Sequence, residues 1–223
     1  MTQTPPLRRD AEDNRKRLLS AARDVFSEQG LDATLHDVAR RAGVGVGTAY
    51  RRFANKEVLF DAILSEQVAE LEAILHAALE DPDPWHGLVS YMEQSLAIQA
   101  RDRGMAQILS GRRITPEQHD WERDRLAPLV DAVANRATRH GVARPELTGS
   151  DLILLQIGIV SIAFTLRKNA DAVDRADVPE LWRRYLAMAL DGIRADSGHR
   201  ALPLESVRGE ELHRILSRPD RLR

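Results

Sequence analysis

Residues 34–53 read TLHDVARRAGVGVGTAYRRF, and this stretch decides the fold of the N-terminal part of the chain. Thr34 followed by Asp37 is a variant of the capping box, which predicts a short helix beginning directly after Thr34. Gly43 predicts the end of that helix, because glycine readily adopts the positive φ angle of a tight turn. A second short helix is expected from Val46 to Phe53.

Two short helices joined through Ala42-Gly43-Val44 have the spacing of a helix-turn-helix. Ala39 is small enough for the two helices to approach closely, and Val44 is expected to fill the corner. In such a pair the outer side of the second helix is free to enter the major groove of DNA.

Donors and cations occupy the outer side of the second helix, at Thr48, Tyr50, Arg51 and Arg52. Hydroxyl and guanidinium groups can hydrogen-bond phosphate oxygens, and arginine can also bind guanine through two hydrogen bonds. Tyr50 fits equally well as an aromatic residue at the edge of the core.

Asn55 is a good N-cap for a long helix from about Lys56 to Glu80. A lysine in the first turn opposes the helix dipole, and a bound phosphate would reverse that disadvantage. The alternative is a solvated surface lysine. Arg8 and Arg9 are expected on an arm before the first helix, either reaching the minor groove or forming a disordered tail.

The remaining chain favours an all-α body, because no stretch alternates apolar and polar residues. The first helix is expected over about 13–28, ended by Gly30. Asp81-Pro82-Asp83-Pro84 interrupts the helical pattern. Further helices are expected at about 85–101, 104–110, 116–140, 148–167 and 178–195, followed by one short, weakly held helix in the tail.

Leu152–Leu166 is uncharged over 15 residues and apolar nearly all round, shorter than the roughly 18 apolar residues of a membrane span. A helix of this kind needs cover on every side. It is either the core helix of a monomer or, with the helix at 178–195, half of a four-helix interface between two copies.

The composition is that of a folded protein, with 43% hydrophobic and 30% charged residues among 223. The absence of cysteine excludes disulfides, thiolate metal sites and a catalytic thiol. Because no apolar run follows Met1, the sequence argues against a secretory signal, and we expect the protein to be located in the cytoplasm. Residues 1–60 carry 11 Lys+Arg against 8 Asp+Glu and residues 61–223 carry 21 against 26, which fits a DNA-binding segment on an acidic body or mere scatter of surface charge.

These residues resemble the tetracycline-repressor (TetR) family of bacterial regulators. The resemblance spans roughly 15–71 and rests on Phe26-Ser27-Glu28-Gln29-Gly30, Thr34, Val38-Ala39, Ala42-Gly43-Val44, Gly47-Thr48, Tyr50, Phe53, Lys56 and Leu59.

The resemblance implies phosphate contacts from Thr48, Tyr50 and Lys56. It also implies contacts to bases or backbone from His36, Val46, Gly47, Arg51 and Arg52, and Thr34 completes the predicted DNA-binding set. Gly45 departs from the family, which usually has a polar residue there, and this removes a cap. Val46 offers only an apolar contact.

For the body, the resemblance implies a homodimer whose pocket binds a small molecule and thereby shifts the two reading helices. The predicted organisation is a DNA-binding domain at 12–71, an effector-binding and dimerisation domain at 72–196, and a tail at 197–223. The candidate pocket residues are Trp85, Met92, Met105, Ile108, Trp121, Gln156 and Phe164, although residues of these types more often belong to a simple core.

Enzyme classes find no support in the sequence. The glycines of residues 43–47 follow a helix, whereas phosphate-binding loops follow a strand. The seven histidines lack the spacing of metal ligands, and no GxSxG element is present. We therefore predict no catalytic residue, metal or cofactor. The remaining alternative to a repressor is an all-α dimeric ligand-binding or adaptor protein that does not read DNA.

Overall fold

The computed structural model describes residues 6–29, 32–101, 116–195 and 200–216, and in these ranges the chain is helical. The only β pairing in them is an isolated bridge between Ala143 and Arg194. The helices are α1 (Pro6–Gln29), α2 (Leu35–Ala42), α3 (Val46–Arg52), α4 (Lys56–Glu80), α5 (Pro84–Arg101), α6 (Pro116–Arg139), α7 (Gly149–Lys168), α8 (Trp182–Ile193) and α9 (Gly209–Leu216).

The predicted all-α class is confirmed, and two boundaries are wrong. Arg8 and Arg9 do not precede the first helix, since α1 already begins at Pro6. Proline is tolerated in the first turn because the N–H it lacks would be unpaired there. Val178–Glu180 forms a separate 3₁₀ turn before α8. Gly30 and the helix expected at 104–110 lie outside the described residues.

Helix α1 packs against α2 and against α4, and α3 packs against α2. Phe26 of α1 meets Phe60 of α4 edge to face, with ring centroids 5.4 Å apart. Glu66 of α4 also accepts a hydrogen bond from Arg23 of α1 at 2.6 Å. Helix α1 therefore connects the helical pair to the first half of α4.

The body is built from the second half of α4 with α5, α6, α7 and α8. Helix α7 contacts α5, α6, α8 and α9, so it is the central helix of this part. By length and composition α7 is also apolar enough to cross a membrane, and 39% of that apolar window is buried inside the protein. These contacts make α7 the central helix of the described body, and they fit both alternatives that the sequence left open.

Two glycines set the closest helix approaches in the body. A Cβ at Gly87 of α5 would lie 2.3 Å from the carbonyl oxygen of Ala78 in α4. A Cβ at Gly149, the first residue of α7, would lie 2.9 Å from both the backbone N and the Cα of Asp131 in α6. Real Cβ atoms do not approach other atoms this closely. The backbone of the neighbouring helix therefore leaves room only for glycine at each of these positions.

The tail helix α9 lies against α7. Its side chain Leu212 is buried. Before it, Ser206 donates a hydrogen bond to Oδ1 of Asp151 at 2.7 Å and lies 2.7 Å from the hydroxyl of Thr148. Since Thr148 and Asp151 form the capping box of α7, the tail is fastened to the start of the central helix.

Candidate nucleic-acid interface

The first helix of the predicted pair is fixed at its start by Thr34 and Asp37. The Asp37 N–H donates to the Thr34 hydroxyl at 3.2 Å, and the Thr34 N–H donates to the Asp37 carboxylate at 3.1 Å. The Thr34 hydroxyl also donates to the Asp37 carboxylate, and this bond together with the one from the Thr34 N–H lowers the pKa of Asp37, because both favour its charged form. The capping box is confirmed, and the Thr34 oxygen is engaged within the protein.

The turn between the helices has the geometry that the sequence predicted. Gly43 adopts φ 62° and ψ 34°, and its N–H points to carbonyls in the last turn of α2. The Val44 N–H donates to the Ala39 carbonyl at 3.0 Å. From α1, the Arg17 guanidinium donates to the Ala42 carbonyl at 2.9 Å, so α1 holds the turn in place.

We expect Gly43→Ala to destabilise the protein by about 1 kcal/mol, because other residues pay roughly that amount at a positive φ. The added Cβ would also lie 3.3 Å from Nη2 of Arg17. Thermal unfolding measures the effect. Gly47→Ala is the control, since nothing lies within 4 Å of a Cβ there, and equal stability of the two variants would contradict the argument.

Helix α3 has one buried side and one open side. Ala49 and Phe53 face the core, with 0% and 4% of their surfaces exposed. Tyr50 is 50% exposed on the other side, where Arg51 and Arg52 are exposed too. Tyr50 thus belongs to the open surface, in the position that a groove-reading helix requires.

The N-terminus of α3 has no side-chain cap. Gly45 is the N-cap and provides no side-chain hydrogen bond, as the sequence predicted. Val46 is 36% exposed and Gly47 is exposed as well. Thr48 is half-buried, and its hydroxyl accepts a hydrogen bond from Nη2 of Arg51 at 3.0 Å.

Lys56 is the first residue of α4, three positions after Phe53 closes α3. Asn55 caps this helix by accepting a hydrogen bond from the Val58 N–H at 2.8 Å. Lys56 is half-buried and engaged by other residues of the chain. Lys56 therefore follows closely in the chain after α3, the helix whose open side carries Tyr50, Arg51 and Arg52.

The other charged residues of the pair are mostly engaged within the protein. His36 is exposed at the start of α2. Arg41 binds Glu28 through hydrogen bonds of 3.0 and 2.6 Å, which lower the pKa of Glu28. The structural role of Arg17 was not predicted, because its partner is 25 positions away and no local pattern marks it.

A separate cavity of about 140 Å³ lies in the body between α4, α5, α6 and α7, and α9 covers one side. Its walls include apolar side chains from each of these elements, among them Leu71, Leu75, Leu126, Val130, Ile153 and Leu212.

One predicted pocket residue, Gln156, lines this cavity. Met92 is fully buried behind it and contacts the Gln156 amide through its sulfur. The cavity lining does not include Trp85, which stacks with Arg194, or Phe164. Met105, Ile108 and the side chain of Trp121 lie outside the described residues.

Comparison with known families identifies the helical pair. The family described as "Bacterial regulatory proteins, tetR family" matches residues 18–63, the segment that forms the second half of α1, all of α2 and α3, and the start of α4.

Among curated relatives, YhgD, an uncharacterised HTH-type transcriptional regulator of Bacillus subtilis, is 41% identical over 75 residues. This match covers 33% of the chain and 39% of YhgD, so the chain spans about two fifths of that relative's length. The A-factor receptor protein of Streptomyces griseus is 30% identical over 183 residues, which cover 76% of the chain and 61% of the receptor.

Among solved structures, the TetR transcriptional regulator SCO0520 from Streptomyces coelicolor is 29% identical with a TM-score of 0.59. That likeness covers 82% of this chain and 99% of the neighbour. Residues 18–63 therefore form the N-terminal segment of the TetR family of bacterial regulatory proteins, and the body of the chain is similar to that of a TetR regulator.

Proposed function

We propose that this regulator is a homodimeric repressor that binds a pseudo-palindromic operator through residues 34–53 and Lys56. A small molecule in the body cavity releases it from DNA. The observation that carries the proposal is the open side of α3, because its hydroxyl and guanidinium groups are not needed for the core. The repressor has no catalytic role and acts in the cytoplasm.

The two proposed domains meet inside α4, which both of them share. Residues 12–71 read DNA, 72–196 bind the effector and form the dimer, and 197–223 are the tail. Within the described residues no group of three or more His, Asp or Glu side chains is placed to hold a metal ion.

Dimerisation is supported by apolar residues left open on α7 and α8. Leu154 on α7 is 39% exposed, and Tyr185 and Met188 on α8 are 38% and 61% exposed. Gly158 and Ser161 continue the exposed stripe of α7 with small residues that permit close packing. A second copy of the same two helices would cover these surfaces and complete a four-helix interface.

Communication between cavity and DNA is supported by α4. Leu71 and Leu75 of this helix line the cavity, and Lys56 begins it. Arg125 of α6 binds Glu72 on α4, with 2.6 Å between Nε and Oε1. An effector that shifts α4 therefore changes the placement of the reading helices, and it favours release if it prefers the conformation that fits DNA poorly.

The test is an electrophoretic shift on the DNA upstream of the coding sequence. Tyr50→Phe and Lys56→Ala are expected to weaken binding to all sequences about 5- to 10-fold, because each removes a phosphate contact. Arg51→Ala should lose discrimination at one base pair, by roughly 1–3 kcal/mol. Arg175→Ala removes an exposed arginine outside the pair and should leave affinity unchanged.

Unchanged affinity in all three variants would overturn the placement of the interface. Salt dependence provides the second criterion, since each neutralised phosphate adds about 0.9 to the slope of log affinity against log salt. A flat response would favour the adaptor alternative, for which the bare, apolar start of α3 is the supporting observation.

A further inference from the structure

We propose that the effector cavity takes an uncharged, mostly apolar small molecule with one carbonyl oxygen, which accepts a hydrogen bond from the side-chain amide of Gln156. This inference rests on the proposed function, because it names the class of ligand for the same cavity. It follows from the polar groups in the wall, from their charge and from the size of the space.

A buried amide cluster forms the polar part of the wall. Ser95, Gln99 and Gln156 all line the cavity and are 2%, 3% and 6% exposed. The Gln99 amide donates to the Ser95 hydroxyl at 2.9 Å and to Oε1 of Gln156 at 3.1 Å. These bonds fix the direction in which the Gln156 amide faces.

The Gln156 side chain has two neighbours besides Gln99 and Ser95, which are the Met92 sulfur and the Tyr91 hydroxyl. Its NH₂ group lies 3.2 Å from the sulfur of Met92, and a thioether is a poor hydrogen-bond acceptor. The Tyr91 hydroxyl also lines the cavity and shares a side-chain hydrogen bond with Gln156, while burial raises the pKa of that hydroxyl. A buried amide donor gains most from a better acceptor, and the carbonyl oxygen of a ligand is one.

The charges around the cavity disfavour ionised ligands. No lysine or arginine is among the lining residues that the structure describes. The one carboxylate there, Asp131, is exposed to solvent at the rim, accepts a hydrogen bond from the Gly149 N–H and would repel an anion. A ligand cation could approach Asp131 at the rim, but it would find only neutral groups at the amide cluster.

The size of the cavity limits the ligand to about one ring. Its volume of about 140 Å³ is close to that of engineered apolar cavities that hold benzene. Helix α9 contributes Gly209, Leu212, His213 and Leu216 to the lining. A larger molecule would have to extend past the rim at Asp131 or displace this helix.

Four six-membered-ring probes of similar size test the assignment: cyclohexanone, methylenecyclohexane, cyclohexylammonium and cyclohexanecarboxylate. Calorimetry and ligand-detected NMR on the full chain measure their affinities. Cyclohexanone is expected to bind at least 5-fold more tightly than methylenecyclohexane and at least 10-fold more tightly than either ion. Equal binding of all four, tightest binding of an ion, or no binding of cyclohexanone would overturn the proposal.

Gln156→Leu keeps the volume and removes the amide, so cyclohexanone should lose its advantage over methylenecyclohexane. Gln94→Leu is the matched control on the exposed side of α5 and should leave the preference unchanged. If Gln156→Leu does not fold, Gln99→Leu and the wild-type series still decide the question. Retained preference in a folded Gln156→Leu variant would contradict the assignment.

Operator binding is measured separately on the same preparations. Loss of probe selectivity with intact operator binding would refute the ligand class alone. Intact selectivity without any operator binding would refute the repressor and leave the cavity assignment standing.

Discussion

Met188→Glu is expected to convert the protein to monomers and to weaken operator binding by about 100-fold or more. Met188 is the most exposed of the large apolar residues on α7 and α8, at 61%. A glutamate there would bury a charge from each copy in the apolar interface of the proposed dimer. A monomer reads one half-site, whereas the dimer reads two half-sites about 34–36 Å apart.

Light scattering coupled to gel filtration measures the mass, and an electrophoretic shift measures the affinity. Leu204→Glu is the matched control, because Leu204 is 84% exposed and lies outside both helices. It should leave both measurements unchanged. A dimeric Met188→Glu variant with full operator affinity would show that the two copies meet elsewhere.

Gly149→Ala is expected to lower the free energy of unfolding by about 1–3 kcal/mol, which is the usual cost of overpacking a close helix contact. The added methyl group would lie 2.9 Å from the backbone N and the Cα of Asp131, and backbone cannot move aside as a flexible side chain can. For a chain of this size the melting temperature should fall by roughly 2–4 °C for each kcal/mol.

Thermal and denaturant unfolding of the DNA-free protein measure this effect. Removing the Asp131 side chain in an Asp131→Ala, Gly149→Ala double variant should not restore stability, because the backbone contacts remain. Gly47→Ala, at an open helical position, should cause no loss. Full stability of Gly149→Ala would mean that α6 and α7 can separate at little cost.

Local patterns were sufficient to predict the helical pair. Thr34 and Asp37 are three positions apart and form their capping box without help from distant residues. Gly43 likewise predicts the turn, because few other residues readily adopt a positive φ angle. The open face of α3 followed from helical spacing once the buried positions were assigned.

The cavity could be predicted only in part. Helical spacing identifies which positions are buried, but it does not separate those that border a void from those that fill the core. Met92 was therefore assigned to the pocket although it lies behind Gln156. Gln99 and Gln156 are 57 positions apart, so their contact, like the cover provided by α9, depends on tertiary packing.

The continuous course of α4 makes it a lever. Leu71, at the cavity, is 15 residues from Lys56, which is about 22 Å along an α-helix. A tilt of about 5° about the cavity end would swing the other end by about 2 Å. In the proposed dimer, opposite movements of the two subunits would add. A displacement of less than the width of a methyl group beside the ligand would then change the separation of the two reading helices enough to mismatch the DNA helical repeat.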